Sequence, residues 1–338
     1  MFKNYSLIFV IVSILIPASV FAAEVNVYSA RKEALIKPVL DKFTAQTGIE
    51  VNLITGNADA LISRIASEGK FSPADVLLTT DAGRLVRAKN QGLTQAHLSP
   101  TIDQHVAPRF RDNENHWFSL TQRARPIMVL KSDAESANIQ TYEQLASKDL
   151  PGKLCIRSSS NIYNQSMIAA LIHQQGEQSA EAFSRGLVGN FARPPKGGDR
   201  DQIKALVAGQ CDYAVANTYY LAGMLKSADA EQVKVAEQVK VIWPNQQGRG
   251  VHVNVSGAAL IKTSPNDENA KKLLDFLLNE QSQSWYAQAN HEYPVREGVE
   301  WSQVLKDFGE FKGESIPLHR VGDLNGQAVK VMDRAGWK

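Results

Sequence analysis

Two hydrophobic periods alternate along the chain. VNVYS (25–29) sets Val25 and Val27 on one face with period two, the pattern of a half-buried strand. Residues 33–43 then carry Leu35, Ile36, Val39, Leu40 and Phe43 at helical spacing. TGIEVNLITG reads as a second strand, ADALISRIASEG as a helix closed by Gly69, and PADVLLTTDAG as a buried strand running into a loop. Strands alternating with helices predict a mostly parallel sheet covered by helices, with ligands beyond the carboxyl ends of the strands. The loops 29–31, 55–57 and 79–81 are then the site edge of a first lobe.

WFSLTQRARPIMVLK is a long extended stretch, the expected first crossing to a second lobe. The same alternation follows it. KLCIRSS reads as a strand, SMIAALIHQQG and AEAFSRGLVGNF as helices, and DRDQIKALVAG as a helix with Asp199 as N-cap and Gln202 three residues later. CDYAVANTYY reads as a strand leading into a loop. VIWPNQQGRGVHVNVSGAALIK, interrupted by Gly and Asn, is the expected return crossing. The remainder is helical with loops, and residues 269–278 are clearly amphipathic. The expectation is an α/β protein of two lobes joined by two extended crossings, a layout suited to hinge closure. The first lobe takes residues 23–122 plus about 250–300, the second 123–249, and 301–338 is a C-terminal helical segment packing on both.

The first residues change the setting. Lys3, an apolar run over 7–16 broken only by Ser13, and small residues Val20 and Ala22 at −3 and −1 predict a signal peptide cleaved after Ala22. The run is shorter than the roughly 20 residues of a membrane span, and no Cys lies near the cleavage site to carry a lipid. Export to the periplasm follows. About 316 residues remain, enough for two lobes. The 43% hydrophobic content favours a packed protein, and the net charge of +2, or +1 without Lys3, favours neither nucleic acid nor an acidic membrane as partner. An exported chain permits Cys155 and Cys211 to pair, since both precede short strand-like runs; the alternative is two separate buried thiols. Two Cys without CxxC spacing argue against a thiolate metal site.

HExxH, GxSxG, a Walker loop and a GxGxxG after a strand are all missing, and the seven His are scattered without ligand spacing. Nothing local supports an enzyme. Two tyrosine-bearing segments stand out. In RSSSNIYNQS (157–166), Asn161 or a neighbouring Ser can cap a helix whose start offers free N–H groups to an anion, with Tyr163 in its first turn. The plain alternative is a strand–loop–helix junction with Tyr163 packed beside it. In VANTYYL, Tyr219 and Tyr220 end a strand, where adjacent side chains face opposite ways, so both meet one ligand only if the chain bends.

The strings SPADVLLTTDAGRL, HWFSLTQRAR, CIRSSSNIYNQS, NFARPPKGGD, ANTYYLA, PNQQGRGVHVNVSGAAL and HEYPV resemble, in order and over nearly the whole chain from Val25, the periplasmic ferric-ion-binding proteins of bacterial iron ABC transporters. The resemblance implies a class II periplasmic-binding-protein fold and a monomeric, non-enzymatic carrier that delivers ferric iron to an inner-membrane permease. By motif, Tyr163, Tyr219 and Tyr220 correspond to the family's iron-binding tyrosines. Many relatives carry a His–Tyr pair after the first strand, in a string like YSSRHY. Here VYSARKEAL puts Lys32 and Glu33 there. That resembles the subset in which second-lobe tyrosines hold the metal with a synergistic anion, commonly carbonate or bicarbonate. Arg31 and Arg123 are the expected anion-binding residues, because a planar guanidinium suits carboxylate-like oxygens. Tyr28, Ser158, Ser159, Asn161 and Glu33 are expected as supporting residues, and Asp81, Arg84 and Arg249 as cleft walls. The competing expectation is a tyrosine-lined cleft boxing an organic cation such as a polyamine or thiamine through cation–π contacts.

Overall fold

A computed structural model describes residues 23–338; the expected signal peptide lies outside the described residues. Eleven strands form two sheets. They are β1 (Glu24–Ser29), β2 (Glu50–Thr55), β3 (Val76–Thr80), β4 (Thr94–Gln95), β5 (Phe118–Ala124), β6 (Ile127–Leu130), β7 (Leu154–Cys155), β8 (Tyr213–Val215), β9 (Val239–Ile242), β10 (Val253–Ile261) and β11 (Tyr293–Pro294). The first sheet runs β11-β5-β10-β3-β1-β2, with β4 on β10, and the second runs β7-β8-β6-β9. Each sheet, with its covering helices, is one lobe. No helix among the described residues is long and apolar enough to cross a membrane.

The mostly parallel sheet expected for the first lobe is found only in part. β2, β1 and β3 are parallel, but β10 enters between β3 and β5 antiparallel to both. β10 is the strand that returns from the second lobe, so it runs against the strands that left. All nine of its residues are buried, as a strand covered on both faces requires. Its register shifts at Ser256/Gly257. A side chain at Gly257 would lie 2.4 Å from the Phe118 carbonyl oxygen, so the close approach of β5 demands glycine there.

The chain crosses between sheets twice, at Arg125–Pro126 and over 243–252. Pro126 has no N–H to continue the β5 ladder. The crossings are tied together. Arg125 N donates to the His252 carbonyl at 3.0 Å. The buried Tyr142 hydroxyl donates to the Arg125 carbonyl at 2.6 Å and accepts from His252 N at 3.2 Å. The helix Leu318–Asp323 packs between Ala82–Asn90 of the first lobe and Ile162–Gln175 of the second.

Two expected strands are shorter than their apolar patterns suggest. KLCIRSS keeps only Leu154–Cys155, and CDYAVANTYY keeps only Tyr213–Val215. Tyr219 and Tyr220 belong instead to the helix Thr218–Leu225. Cys155 and Cys211 are joined by a disulfide, with Cα atoms 5.8 Å apart. It clamps β7 to β8, the parallel pair whose carboxyl ends lead to the two tyrosine segments. The closed loop spans a sequence separation of 56 residues. Replacing both cysteines by Ala is therefore expected to lower stability by about 2–4 kcal/mol, chiefly by freeing the unfolded chain. Urea unfolding of the two proteins checks this, and coincident midpoints would contradict it.

Candidate metal centre

The loop after β7 ends where Asn161 caps the helix Ile162–Gln175, its side chain accepting from Tyr163 N at 3.2 Å. Tyr163 thus sits in the first turn, as its position in the sequence suggests. The loop after β8 is shorter, and the helix Thr218–Leu225 begins at once. Successive residues on a helix are about 100° apart, not opposed as on a strand. Tyr219 and Tyr220 can therefore face one side, and their ring centroids are 4.3 Å apart at 35°. The Tyr219 hydroxyl donates to the Tyr163 hydroxyl at 3.1 Å. The Tyr220 ring packs against Tyr219 beside this pair. The three phenols converge.

Asp199 holds the two loops in place. It is fully buried. Oδ1 accepts from Arg125 Nη1 at 2.8 Å and from the Asn217 backbone N–H at 3.0 Å, and Oδ2 accepts from Arg157 Nη1 at 2.8 Å. Arg125 also donates to the side-chain oxygens of Asn217 (3.1 Å) and Asn164 (2.7 Å). Asn164 in turn donates to the carbonyls of Arg157 and Ser158. The expectation that Asp199 is a helix N-cap is overturned. Gly198 occupies that position, and the Asp201 carboxylate accepts from its N–H at 2.7 Å. Two guanidiniums in a buried setting hold a carboxylate more strongly than a helix end facing water does.

Positive charge surrounds the phenols. Guanidinium carbons of Arg123, Arg157 and Arg125 lie 5.0, 5.6 and 5.9 Å from the Tyr163 ring centroid, and that of Arg200 lies 5.9 Å from the Tyr220 centroid. Burial pushes the Tyr219 hydroxyl well above the usual phenol range, reinforced by its two phenol neighbours and opposed by Arg123. Burial likewise raises Tyr220. Both are therefore neutral at pH 7 before any cation arrives. Burial works against the Arg123 charge, but Tyr163, Tyr219 and the Asp81 carboxylate outweigh it and raise its pKa. Arg123 Nη1 donates to Ser256 Oγ at 2.9 Å, whereas its buried Nε and Nη2 have no hydrogen-bond partner in the protein. Nearby, Asn217 Nδ2 and Thr218 Oγ1 are buried in the same condition. Arg123, Arg125, Tyr163, Asn217 and Asp81 line a closely packed crevice with no room for a water molecule.

The first lobe meets this cluster through Asp81. Its carboxylate accepts from Ser166 Oγ at 2.6 Å, three residues beyond Tyr163 on the same helix, and from Asn254 Nδ2 at 3.0 Å. Asp81 is a cleft wall, as expected. Arg84 stands beside it, paired with Asp59 at 3.1 Å. Other expected positions fall elsewhere. Arg31 is buried against Glu292 at 2.6 Å and lies over the Tyr286 ring, whereas Arg123, the other expected guanidinium, pairs with Asp81 at 3.7 Å and lies over the Tyr163 ring. Tyr28 donates to Glu68 and packs with Leu61, Ile62 and Ile65 beneath the helix Ala58–Glu68, away from the cluster. Glu33 is exposed at the start of the helix Glu33–Thr47. Ser158 bonds Ser160, and Ser159 offers its carbonyl to Gln165. Arg249 pairs with Glu143 and lies over the Tyr142 ring. Asp199, Arg125 and Arg157 were missed by the sequence reading. Their one signal is an acid and two bases flanking the crossing and the Ser-rich loop, with nothing local to say that they meet. Among the described residues, no group of three or more His, Cys, Asp or Glu side chains is placed to hold a metal ion.

Known proteins resemble this chain along nearly its whole length. The family model for bacterial extracellular solute-binding proteins matches residues 39–312. Iron uptake protein A1 of Synechocystis sp. is 47% identical over 315 residues, covering 93% of this chain and 88% of that protein. The structure of a Trichodesmium protein (IdiA, FutA) in complex with iron and citrate ligands has a TM-score of 0.90 at 47% identity, covering 94% of this chain and 100% of that one. Apo ferric ion-binding protein A of Pasteurella haemolytica has a TM-score of 0.86 at 42% identity, covering 94% and 98%.

Replacing Asp199 by Ala leaves Arg125 and Arg157 without their buried counter-charge. A loss of about 3–5 kcal/mol is expected in denaturant unfolding. An unchanged unfolding midpoint would remove Asp199 from the role given to it.

Proposed function

The chain belongs to the bacterial extracellular solute-binding protein family, and we propose that its cargo is ferric iron, bound in the periplasm by the phenolates of Tyr163, Tyr219 and Tyr220. It is a carrier, not an enzyme, and its relatives are iron-uptake and ferric-iron-binding proteins. On this reading the exported, monomeric protein, cleaved after Ala22, hands the ion to an inner-membrane ABC permease.

The observation that carries the assignment is the convergence of the three hydroxyls, with Tyr219 Oη 3.1 Å from Tyr163 Oη. A small, trivalent, hard cation prefers oxygen donors. Three phenolates balance its charge, and the bound ion overturns the pKa that burial imposes on Tyr219 and Tyr220. The guanidiniums around the rings then remain in excess. Arg123, whose Nε has no hydrogen-bond partner in the protein and whose Nη2 has only Asp81 Oδ2 at 3.7 Å, supports a synergistic anion completing the coordination. Carbonate or bicarbonate fits its planar fork, as does a citrate carboxylate of the kind found with iron in the Trichodesmium relative.

The organic-cation reading is less well supported. A cation box needs free aromatic faces and acidic partners. Here Arg123, Arg125 and Arg157 already lie over Tyr163, and Arg200 lies over Tyr220, so an incoming organic cation meets like charge.

The purified protein is expected to turn coloured with ferric citrate and bicarbonate, through phenolate-to-iron charge transfer. Changing Tyr219 and Tyr220 together to Phe is expected to abolish the band while leaving the fold intact by circular dichroism. A wild-type protein that stays colourless would sink the proposal. Because phenols give up their protons to bind as phenolates, uptake is expected to release about two to three protons per ion. Affinity then falls as pH falls, with a slope of log K against pH of about two to three. A pH-independent affinity in chelator competition would contradict phenolate ligation.

A further inference from the structure

The helix Asn325–Ala335 lies on the helices Ile162–Gln175 and Glu177–Gly189 of the second lobe. Its surface ion pairs, Arg334 with Glu177 and Glu181, are partly exposed and of the kind that contributes little. The contacts beneath it differ in kind. At Gly336 the backbone turns left-handed, with φ 77°, and Trp337 is directed into the lobe with 1% of its surface exposed. Its ring meets Phe191 edge-on at 5.5 Å, and its Nε1 donates to the Arg157 carbonyl at 3.0 Å. At the other end of the helix, Asn325 Nδ2 donates to Gln165 Oε1 at 3.1 Å, and Gln165 Nε2 donates to the Ser159 carbonyl at 2.9 Å. Two independent links therefore run from one helix to the backbone of the loop over 157–161.

We propose that Trp337 and Asn325 are positioning residues for the ferric site. Neither contacts the phenols. They fix the height of the loop that delivers Arg157 to Asp199 and leads into Tyr163, and so they set where the Tyr163 oxygen stands relative to Tyr219 and Tyr220. A buried Trp that only fills space packs through its ring. This one also gives its N–H to the carbonyl already held by Asn164 Nδ2 at 2.8 Å, so that the Arg157 carbonyl is restrained from two sides. Metal sites tolerate little error in ligand placement, so loss of either link weakens binding without removing a ligand.

The inference rests on Tyr163 being a ligand, and the test separates the two claims. Trp337→Phe keeps the ring and removes the N–H, Asn325→Ala cuts the other link, and Arg334→Ala loosens the same helix at its surface only. Ferric affinity by chelator competition, the position of the charge-transfer band and the thermal midpoint of the iron-free protein are measured for each. Trp337→Phe and Asn325→Ala are expected to weaken ferric binding about tenfold and to shift the band, while Arg334→Ala moves neither. Lower thermal midpoints with wild-type affinity and band would show a merely structural role and overturn the proposal, as would equal weakening in all three variants. Should Trp337→Phe fail to fold, Asn325→Ala decides the matter alone. A wild-type protein that takes up no ferric iron overturns the phenolate reading itself, before any variant is compared.

Discussion

Asp199 is out of contact with water and is bound at once to Arg125, Arg157 and the Asn217 amide. Each partner arrives from a different part of the chain. Arg125 lies where the chain leaves the first sheet, Arg157 opens the loop after β7, and Asn217 ends the loop after β8. A buried carboxylate and guanidinium add little net stability compared with a good apolar contact, because both lose their hydration. What they impose is geometry, since any arrangement that separates them leaves a bare charge in the interior. The tyrosine segments are therefore located by an ion pair to which no tyrosine belongs, with the Cys155–Cys211 bridge restraining the same two strands from behind.

The two lobes contribute unequally. The second carries all three phenols on its own helix starts, together with Arg157 and Arg200. The first offers Arg123 from β5 and Asp81, which reaches across to Ser166. Arg31 faces inward, spent on Glu292. On the proposed reading the first lobe supplies charge and the second supplies the donor atoms. Such a division suits hinge closure, because a preformed half-site can receive a ligand before the other half arrives.

Much of this was legible from periodicity. The alternation of strand and helix, the two crossings and the helix after Asn161 all follow from apolar spacing and cap chemistry. The errors share one cause. CDYAVANTYY is apolar enough to read as a strand to its end, but a run of buried residues does not distinguish a strand from a short helix start. The helix at Thr218 is what lets neighbouring tyrosines face the same way. Asp199 matched a helix-cap pattern, yet its partners lie 74 and 42 residues away in sequence. Arg31 in a strand-end loop and Arg123 in the first crossing carry the same expectation of anion binding. Glu292, 261 residues beyond Arg31, separates their roles. Local spacing carries the elements; the choice of partner for a buried charge is a tertiary fact, and it is where reading by spacing stops.

The tyrosine rings gather at the starts of two neighbouring helices, so the second lobe holds its phenols together without help from the first. On the proposed reading, ligation through those oxygens displaces the phenolic protons, which a trivalent ion does more readily than magnesium or calcium because it polarises an oxygen donor more strongly. Charge density, more than a fitted radius, would then sort the ions that enter.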